Sequence, residues 1–199
     1  MQRAPLLIGA LLLALLMVGC QEERVIDDLS DTSFQLVNQD STAVTFPNDY
    51  TGDVMVVGYI YTHCPDICPR ITANMKQVRQ QLDAPDDVQF ITVTFDPRRD
   101  TPSRLKGYRD AYKLDDTSWQ FLTGDSTAIN GFMDRMNIYH APAPPSPDVD
   151  SLTAIRNNSY LVTHTDQITL IDQQGRVRDL FNGSRTPPDV VVDAINNFR

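Results

Sequence analysis

The stretch Val54 to Pro69, reading VMVVGYIYTHCPDICP, constrains the fold more than any other part of the chain. Val54 to Ile60 is a short apolar run rich in β-branched residues, which favours a buried strand over a helix. Cys64-Pro65 follows, and Cys68-Pro69 comes four residues on. Pro65 suits the first position of a helix, where its missing N–H leaves no bond unmade. That placement makes Cys64 the N-cap residue and puts Cys68 on the first turn. It leaves Pro69 in the second turn, where it removes a hydrogen bond and kinks the axis. Residues four apart share a helix face, so the two sulfurs converge. Such a pair closes a disulfide or grips one soft metal ion. The positive end of the helix favours a thiolate, which is both the nucleophile and the metal ligand. The plainer alternative is two cysteines packed as small apolar residues. It leaves strand, turn, prolines and spacing as coincidence.

Residues 1–19 read as a targeting segment. Arg3 supplies the positive start, and Leu6 to Val18 is an uncharged apolar run. That run is shorter than the roughly 17–25 residues a membrane span needs, and it suits a signal-peptide core. It ends in Met17-Val18-Gly19-Cys20, which resembles a bacterial lipoprotein box. In such a box, cleavage precedes a cysteine that is then lipidated. The alternative is an uncleaved anchor with a free Cys20. Either way the domain is expected outside the cytoplasm, in the bacterial cell envelope and tied to a membrane. Cys64 and Cys68 then remain as a pair in a compartment where disulfides persist. A bridge between them closes too small a loop to add much stability. A reactive role is therefore expected.

Loss of residues 1–19 removes Arg3 and no acidic residue, leaving 26 acidic against 16 basic side chains, a formal charge of −10. Such a balance argues against nucleic acid as a partner, because backbone phosphates are repelled. Cys20 to Thr32 is polar and reads as a tether. Residues 33–199 are long enough for one domain with a sizeable core.

Phe34–Val37 and Ala43–Phe46 predict a hairpin around a turn-rich Asn38–Thr42. The cysteine helix runs to about Leu82, with Ile71, Met75, Val78 and Leu82 at core spacing. Val88–Phe95 alternates as a strand. Thr101 caps a helix opened by Pro102 and running to about Lys113. Trp119–Leu122 predicts a strand, and Asp125–Met136 a helix with Ile129, Phe132, Met133 and Met136 inward. His140 to Asn158 holds four prolines and reads as an irregular loop, functional or mobile. Ser159–Thr163, Gln167–Asp172 and Arg176–Phe181 are strand-like, and Pro187 opens a last helix to Phe198. This order predicts an α/β thioredoxin-like sandwich with an N-terminal β-hairpin and an inserted late hairpin and loop.

Copper(I) takes thiolates and commonly adds an imidazole. Three histidines are available, and spacing leaves them open. His63 adjoins Cys64, but neighbours at a strand-to-helix turn usually point different ways. His140 is most simply solvated. His164 lies just before the strand ending Leu170-Ile171-Asp172.

Gly58-Tyr59-Ile60-Tyr61-Thr62-His63-Cys64-Pro65-Asp66-Ile67-Cys68-Pro69 resembles the signature of the Sco/SenC family. These are membrane-anchored, thioredoxin-like proteins that help assemble the copper centre of cytochrome c oxidase. Thr94-Phe95-Asp96-Pro97, Asp100-Thr101-Pro102, Leu122-Thr123-Gly124 and His164 ahead of Ile171-Asp172 and Gly175 extend the resemblance across residues 34–198. It implies a copper ion on Cys64, Cys68 and His164, and places Asp96 beside that site; otherwise Asp96 is a turn-capping aspartate. One departure matters. Family members often have Asp before the histidine, where this chain has Thr163. Asp166, two residues on, offers a nearby carboxylate, and the sequence leaves open whether it takes that place.

Two functions follow from the resemblance. As a metallochaperone, the protein passes copper to the copper-bearing subunit of cytochrome c oxidase. As a thiol–disulfide oxidoreductase, it uses Cys64 and Cys68 to reduce the target's cysteines, with a thiol reductant restoring the pair. Copper binding requires His164 and dithiol exchange does not. A peroxiredoxin-like peroxidase comes third, since those enzymes frame their cysteine differently.

Overall fold

The computed structural model describes residues 24–83, 85–114 and 118–199. Cys20 and the expected signal segment lie outside them. The strands are β1 (Asp27–Asp28), β2 (Phe34–Asn38) and β3 (Ala43–Phe46), then β4 (Val54–Ile60), which leads into α1 (Ile67–Gln81). Next come β5 (Val88–Thr94), α2 (Pro102–Ala111), β6 (Trp119–Thr123), α3 (Ser126–Arg135) and β7 (His140–Ala143). The chain closes with α4 (Ser151–Arg156), β8 (Leu161–His164), β9 (Ile168–Ile171), β10 (Arg176–Phe181) and α5 (Pro188–Asn196).

One eight-stranded sheet runs in the order β1-β10-β9-β4-β5-β6-β2-β3. All seven residues of β4 are buried, which is why its sequence is a continuous apolar run rather than an alternating one. β4 pairs parallel with β5, and β5 parallel with β6. Parallel neighbours need long crossovers, and α1 and α2 supply them. β9 returns antiparallel on the other side of β4. α1 packs on β4 and on α5. It comes close enough that a Cβ at Gly58 would lie 2.4 Å from Met75 Sδ, so β4 carries its one glycine beneath the helix.

This topology gathers loops at one end of the sheet. Ile60 and Thr94 are register partners, so the loops leaving β4 and β5 emerge side by side. That edge, beyond the carboxyl ends of parallel strands, is where open α/β sheets hold ligands. Because β9 is antiparallel to β4, with Ile168 opposite Gly58, the residues just before β9 arrive at the same end. His164 is one of them.

The structure revises three expectations. The stretch assigned to the tether is part of the domain from its middle onward: β1 pairs with β10, and Leu29 is fully buried. The expected irregular stretch 140–158 contains β7 and α4, with β7 and β8 forming a separate two-stranded sheet. Pro142 is tolerated there because β7 is an edge strand with no partner on its other side. The cysteine helix begins two residues later than Pro65 implies; its N-cap is Asp66. The intervening turn is closed by the Cys64 N–H donating to the Tyr61 carbonyl at 3.2 Å. Pro69 therefore falls in the first turn, where the missing N–H costs nothing, and the expected kink has no cause.

Candidate metal centre

The late helix start changes how the two cysteines meet. Cys64 sits in the turn ahead of α1, and Cys68 is the second helical residue. Asp66 makes no side-chain capping bond. Instead the Cys68 N–H, one of the helix's orphan donors, donates to Cys64 Sγ at 3.3 Å. The sulfur of Cys64 thus does the work of a capping oxygen, and the donors it faces favour the thiolate. Cys68 Sγ in turn accepts from the Tyr61 N–H at 3.5 Å. Cys68 is fully buried and Cys64 half-buried, and both are free thiols.

His164 completes the group. It ends β8, and its ring packs 4.7 Å from the Phe95 ring and edge-on to Tyr61 at 6.0 Å. Nδ1 lies 2.9 Å from the Thr165 carbonyl. A carbonyl only accepts, so in the neutral ring Nδ1 carries the proton and Nε2 keeps its lone pair. Nε2 faces the sulfurs, 3.6 Å from Cys68 Sγ. The two sulfurs and the ring nitrogen all lie within 4.8 Å of one another, the one such cluster among the described residues. An ion bonded at about 2.0–2.3 Å needs donors roughly 3.5–4 Å apart, so this set fits one small, soft ion.

The imidazole is oriented without a carboxylate beside it in the chain, since Thr163 precedes it and Thr165 follows. The Thr165 carbonyl does that task, and the Asp166 carboxylate is taken by Ser184, accepting from its N–H at 2.9 Å and its hydroxyl at 2.6 Å. Asp96 is placed elsewhere too. It is buried, bonded to Arg99 Nε, and accepts from the Tyr160 hydroxyl at 2.6 Å. Its backbone carbonyl closes the turn to Arg99 and Asp100. Arg99 in turn stacks on Tyr160 and on Tyr61, so Asp96 supports the wall behind His164 rather than its ring. His63 turns toward Thr62 Oγ1, at 3.3 Å, and His140 packs on Phe95 with Nε2 3.2 Å from Asn130 Oδ1. Neither joins the cluster.

Asp100 is the residue that the sequence pattern did not single out. Its buried carboxylate accepts from the Thr62 N–H at 2.9 Å, the Thr62 hydroxyl at 2.5 Å and the Thr94 hydroxyl at 2.6 Å. It pins the cysteine loop to β5. Burial raises its pKa, and the Thr62 and Thr94 bonds offset part of that. Its only sequence signal was its place in Asp100-Thr101-Pro102, where capping by Thr101 explained the motif.

The two thiols are pushed apart. The hydrogen bond from Cys68 holds the Cys64 thiol down, to about 3, with help from His164 and against burial. Burial and the neighbouring Cys64 charge push Cys68 up. For His164, burial opposes the charged ring, but the Cys64 sulfur and the Thr165 carbonyl outweigh it and raise the pKa. One expected result follows. In the metal-free dithiol form, alkylation of Cys64 by iodoacetamide is flat between about pH 5 and 8, whereas an ordinary thiol of pKa about 8.5 speeds up roughly tenfold per unit. A tenfold-per-unit slope for Cys64 would show that its thiol is not activated.

Residues 25–198 match the SCO1/SenC family. The chain belongs to that family. It is 28% identical over 191 residues to the SCO1 protein homolog of Bacillus subtilis, covering 94% of this chain and 92% of that one. Copper-bound ScoI of Bradyrhizobium japonicum superposes with a TM-score of 0.69 at 28% identity, covering 84% of this chain and 98% of that one. BsSco, described as a Sco-family cytochrome c oxidase assembly protein with a disulfide switch, gives 0.66 at 26% identity, covering 86% and 94%. The thioredoxin-like α/β fold is that of the Sco structures.

Proposed function

We propose that this chain is a copper metallochaperone, holding a copper ion on Cys64, Cys68 and His164 and passing it to the copper-bearing subunit of cytochrome c oxidase. The observation that carries the reading is the His164 ring: its Nδ1–H is committed to a backbone carbonyl and its Nε2 faces two sulfurs. Dithiol chemistry has no need of an imidazole so oriented, whereas a soft-metal site does. Membership of the SCO1/SenC family and likeness to copper-bound ScoI support copper as the ion.

A second reading has its own observation. A half-exposed Cys64 thiolate beside a buried Cys68 is the arrangement of an attacking and a resolving cysteine. The protein would then reduce the cysteines of the oxidase site so that copper enters. Transfer separates the two. Copper-loaded protein mixed with the metal-free, reduced copper-bearing oxidase domain is expected to lose its ion to that domain in equal measure. Retention of the ion, with the metal-free dithiol form alone promoting copper uptake by an oxidised domain, would replace delivery by reduction.

The proposal includes export and lipid anchoring at Cys20. Two acyl chains hold a protein stably on a membrane, and one holds it only marginally. Mass spectrometry of the membrane-extracted protein is expected to show an acylated Cys20 as its first residue; a mature chain still starting at Met1 would sink this part. Among the described residues no helix is long and apolar enough to cross a membrane.

A further inference from the structure

β8 carries His164, yet no strand of the large sheet pairs with it; its ladder partner is β7. Side chains must therefore help to hold it against the cysteine turn. Arg99 Nη1 donates to the Tyr160 carbonyl, just ahead of β8, at 2.8 Å. The Val162 N–H, within β8, donates to the Tyr61 hydroxyl at 3.2 Å. This second bond is buried and joins residues 101 apart in the chain. Val162 stands two residues before His164, and residues two apart on a strand share a face. Burial agrees: Val162 is buried and His164 partly buried, while Leu161 and Thr163 are exposed. Fixing the Val162 amide thus helps to fix where the His164 ring points.

Tyr61 meets the two cysteines as well, chiefly through its main chain. Its N–H donates to Cys68 Sγ at 3.5 Å, and its carbonyl accepts from the Cys64 N–H at 3.2 Å. The ring adds an edge-on contact with His164 at 6.0 Å, and the hydroxyl interacts with the Cys64 sulfur besides accepting from Val162. We propose that the Tyr61 hydroxyl is a positioning group of the metal centre, tying the histidine strand to the cysteine turn so that Nε2 faces the sulfurs. The inference rests on the reading that copper is held by Cys64, Cys68 and His164. An imidazole already standing near its bound place costs less to order when the ion arrives. Phenylalanine at this position keeps the ring and both main-chain bonds. It removes only the hydroxyl, and leaves the buried Val162 N–H without that partner.

The test is the copper(I) affinity of the reduced protein, measured by competition with a chromophoric chelator. Tyr61→Phe is expected to weaken binding about tenfold, the lower end of what loss of a ligand-orienting group costs. Tyr59→Phe is the control. Its hydroxyl also makes a buried bond, to Thr169 Oγ1 at 2.8 Å, but that bond ties β4 to β9 and not to β8. Both variants therefore lose a buried tyrosine hydroxyl, and Tyr59→Phe is expected to leave the affinity unchanged. In the metal-free dithiol form, the NMR signals of the His164 ring are expected to shift or broaden in Tyr61→Phe and not in Tyr59→Phe. Against a His164→Ala background, Tyr61→Phe is expected to lose most of its effect, because the group it positions is gone. Unchanged affinity or unchanged His164 signals in Tyr61→Phe overturn the proposal. So does an equal loss in Tyr59→Phe, or a loss that persists in full without His164. Failure of the copper reading looks different: the wild type binds no copper, or His164→Ala binds it as tightly, and the positioning role falls with it.

Discussion

His164→Ala is expected to abolish tight copper binding while leaving dithiol chemistry in place. Loss of a group that merely orients a metal ligand costs about 10–100-fold in affinity, so loss of the ligand itself is expected to cost about 100-fold or more. No soft donor stands ready to replace it: Met75 is fully buried in the core, against Gly58. The fold should survive. His164 is only partly buried, and the variant forfeits ring contacts with Phe95 and Tyr61 worth about 0.5–1.5 kcal/mol each at most. The Cys64 sulfur keeps the Cys68 N–H and the Cys68 thiol as its partners. Three measurements on one variant decide between the readings: copper retention, reduction of a small disulfide, and oxidase maturation in cells. Lost copper with lost maturation and intact disulfide reduction supports delivery. Maturation that persists without copper binding removes the metallochaperone reading and leaves the reductase.

The second large effect is that of oxidation. Two of the three candidate ligands are the cysteines, and a Cys64–Cys68 disulfide converts both from anionic thiolates to neutral, weakly donating sulfurs. The lone imidazole that remains is a poor site for one soft ion. Titration of the reduced and disulfide forms is therefore expected to show one tight copper per chain in the first and none in the second, with binding restored by reductant. The coupling is reciprocal: a ligand that binds only the dithiol form makes that form harder to oxidise. Bound copper is thus expected to slow disulfide formation by added oxidant. Equal affinity in both forms would place the metal away from the cysteines.

How much of this was legible in the sequence depended on the distance over which each signal acts. The strand from Val54, the hairpin at Phe34–Phe46 and the Thr101 cap are local. Apolar alternation, β-branching and capping chemistry act within a few residues, and the structure keeps them within a residue or two. β7 was missed because its four residues, with Pro142 among them, carry no readable alternation; only pairing with β8 makes them a strand.

The sequence by itself determined that two cysteines stand at a strand-to-helix turn, near enough to meet through four residues of chain. It did not determine which histidine joins them, and only the family resemblance singled out His164. Tertiary structure decided that, because residues 96 apart meet through strand order and not through spacing. Antiparallel pairing of β9 with β4 carries His164 to the carboxyl end of β4, while His63, beside the cysteine, is turned to Thr62. Tertiary structure also gave Asp100 its role, since a carboxylate that looks like part of a helix start becomes a buried clamp only once β4 and β5 lie side by side. Local chemistry writes the donors into the chain; the register of the sheet selects which of them converge.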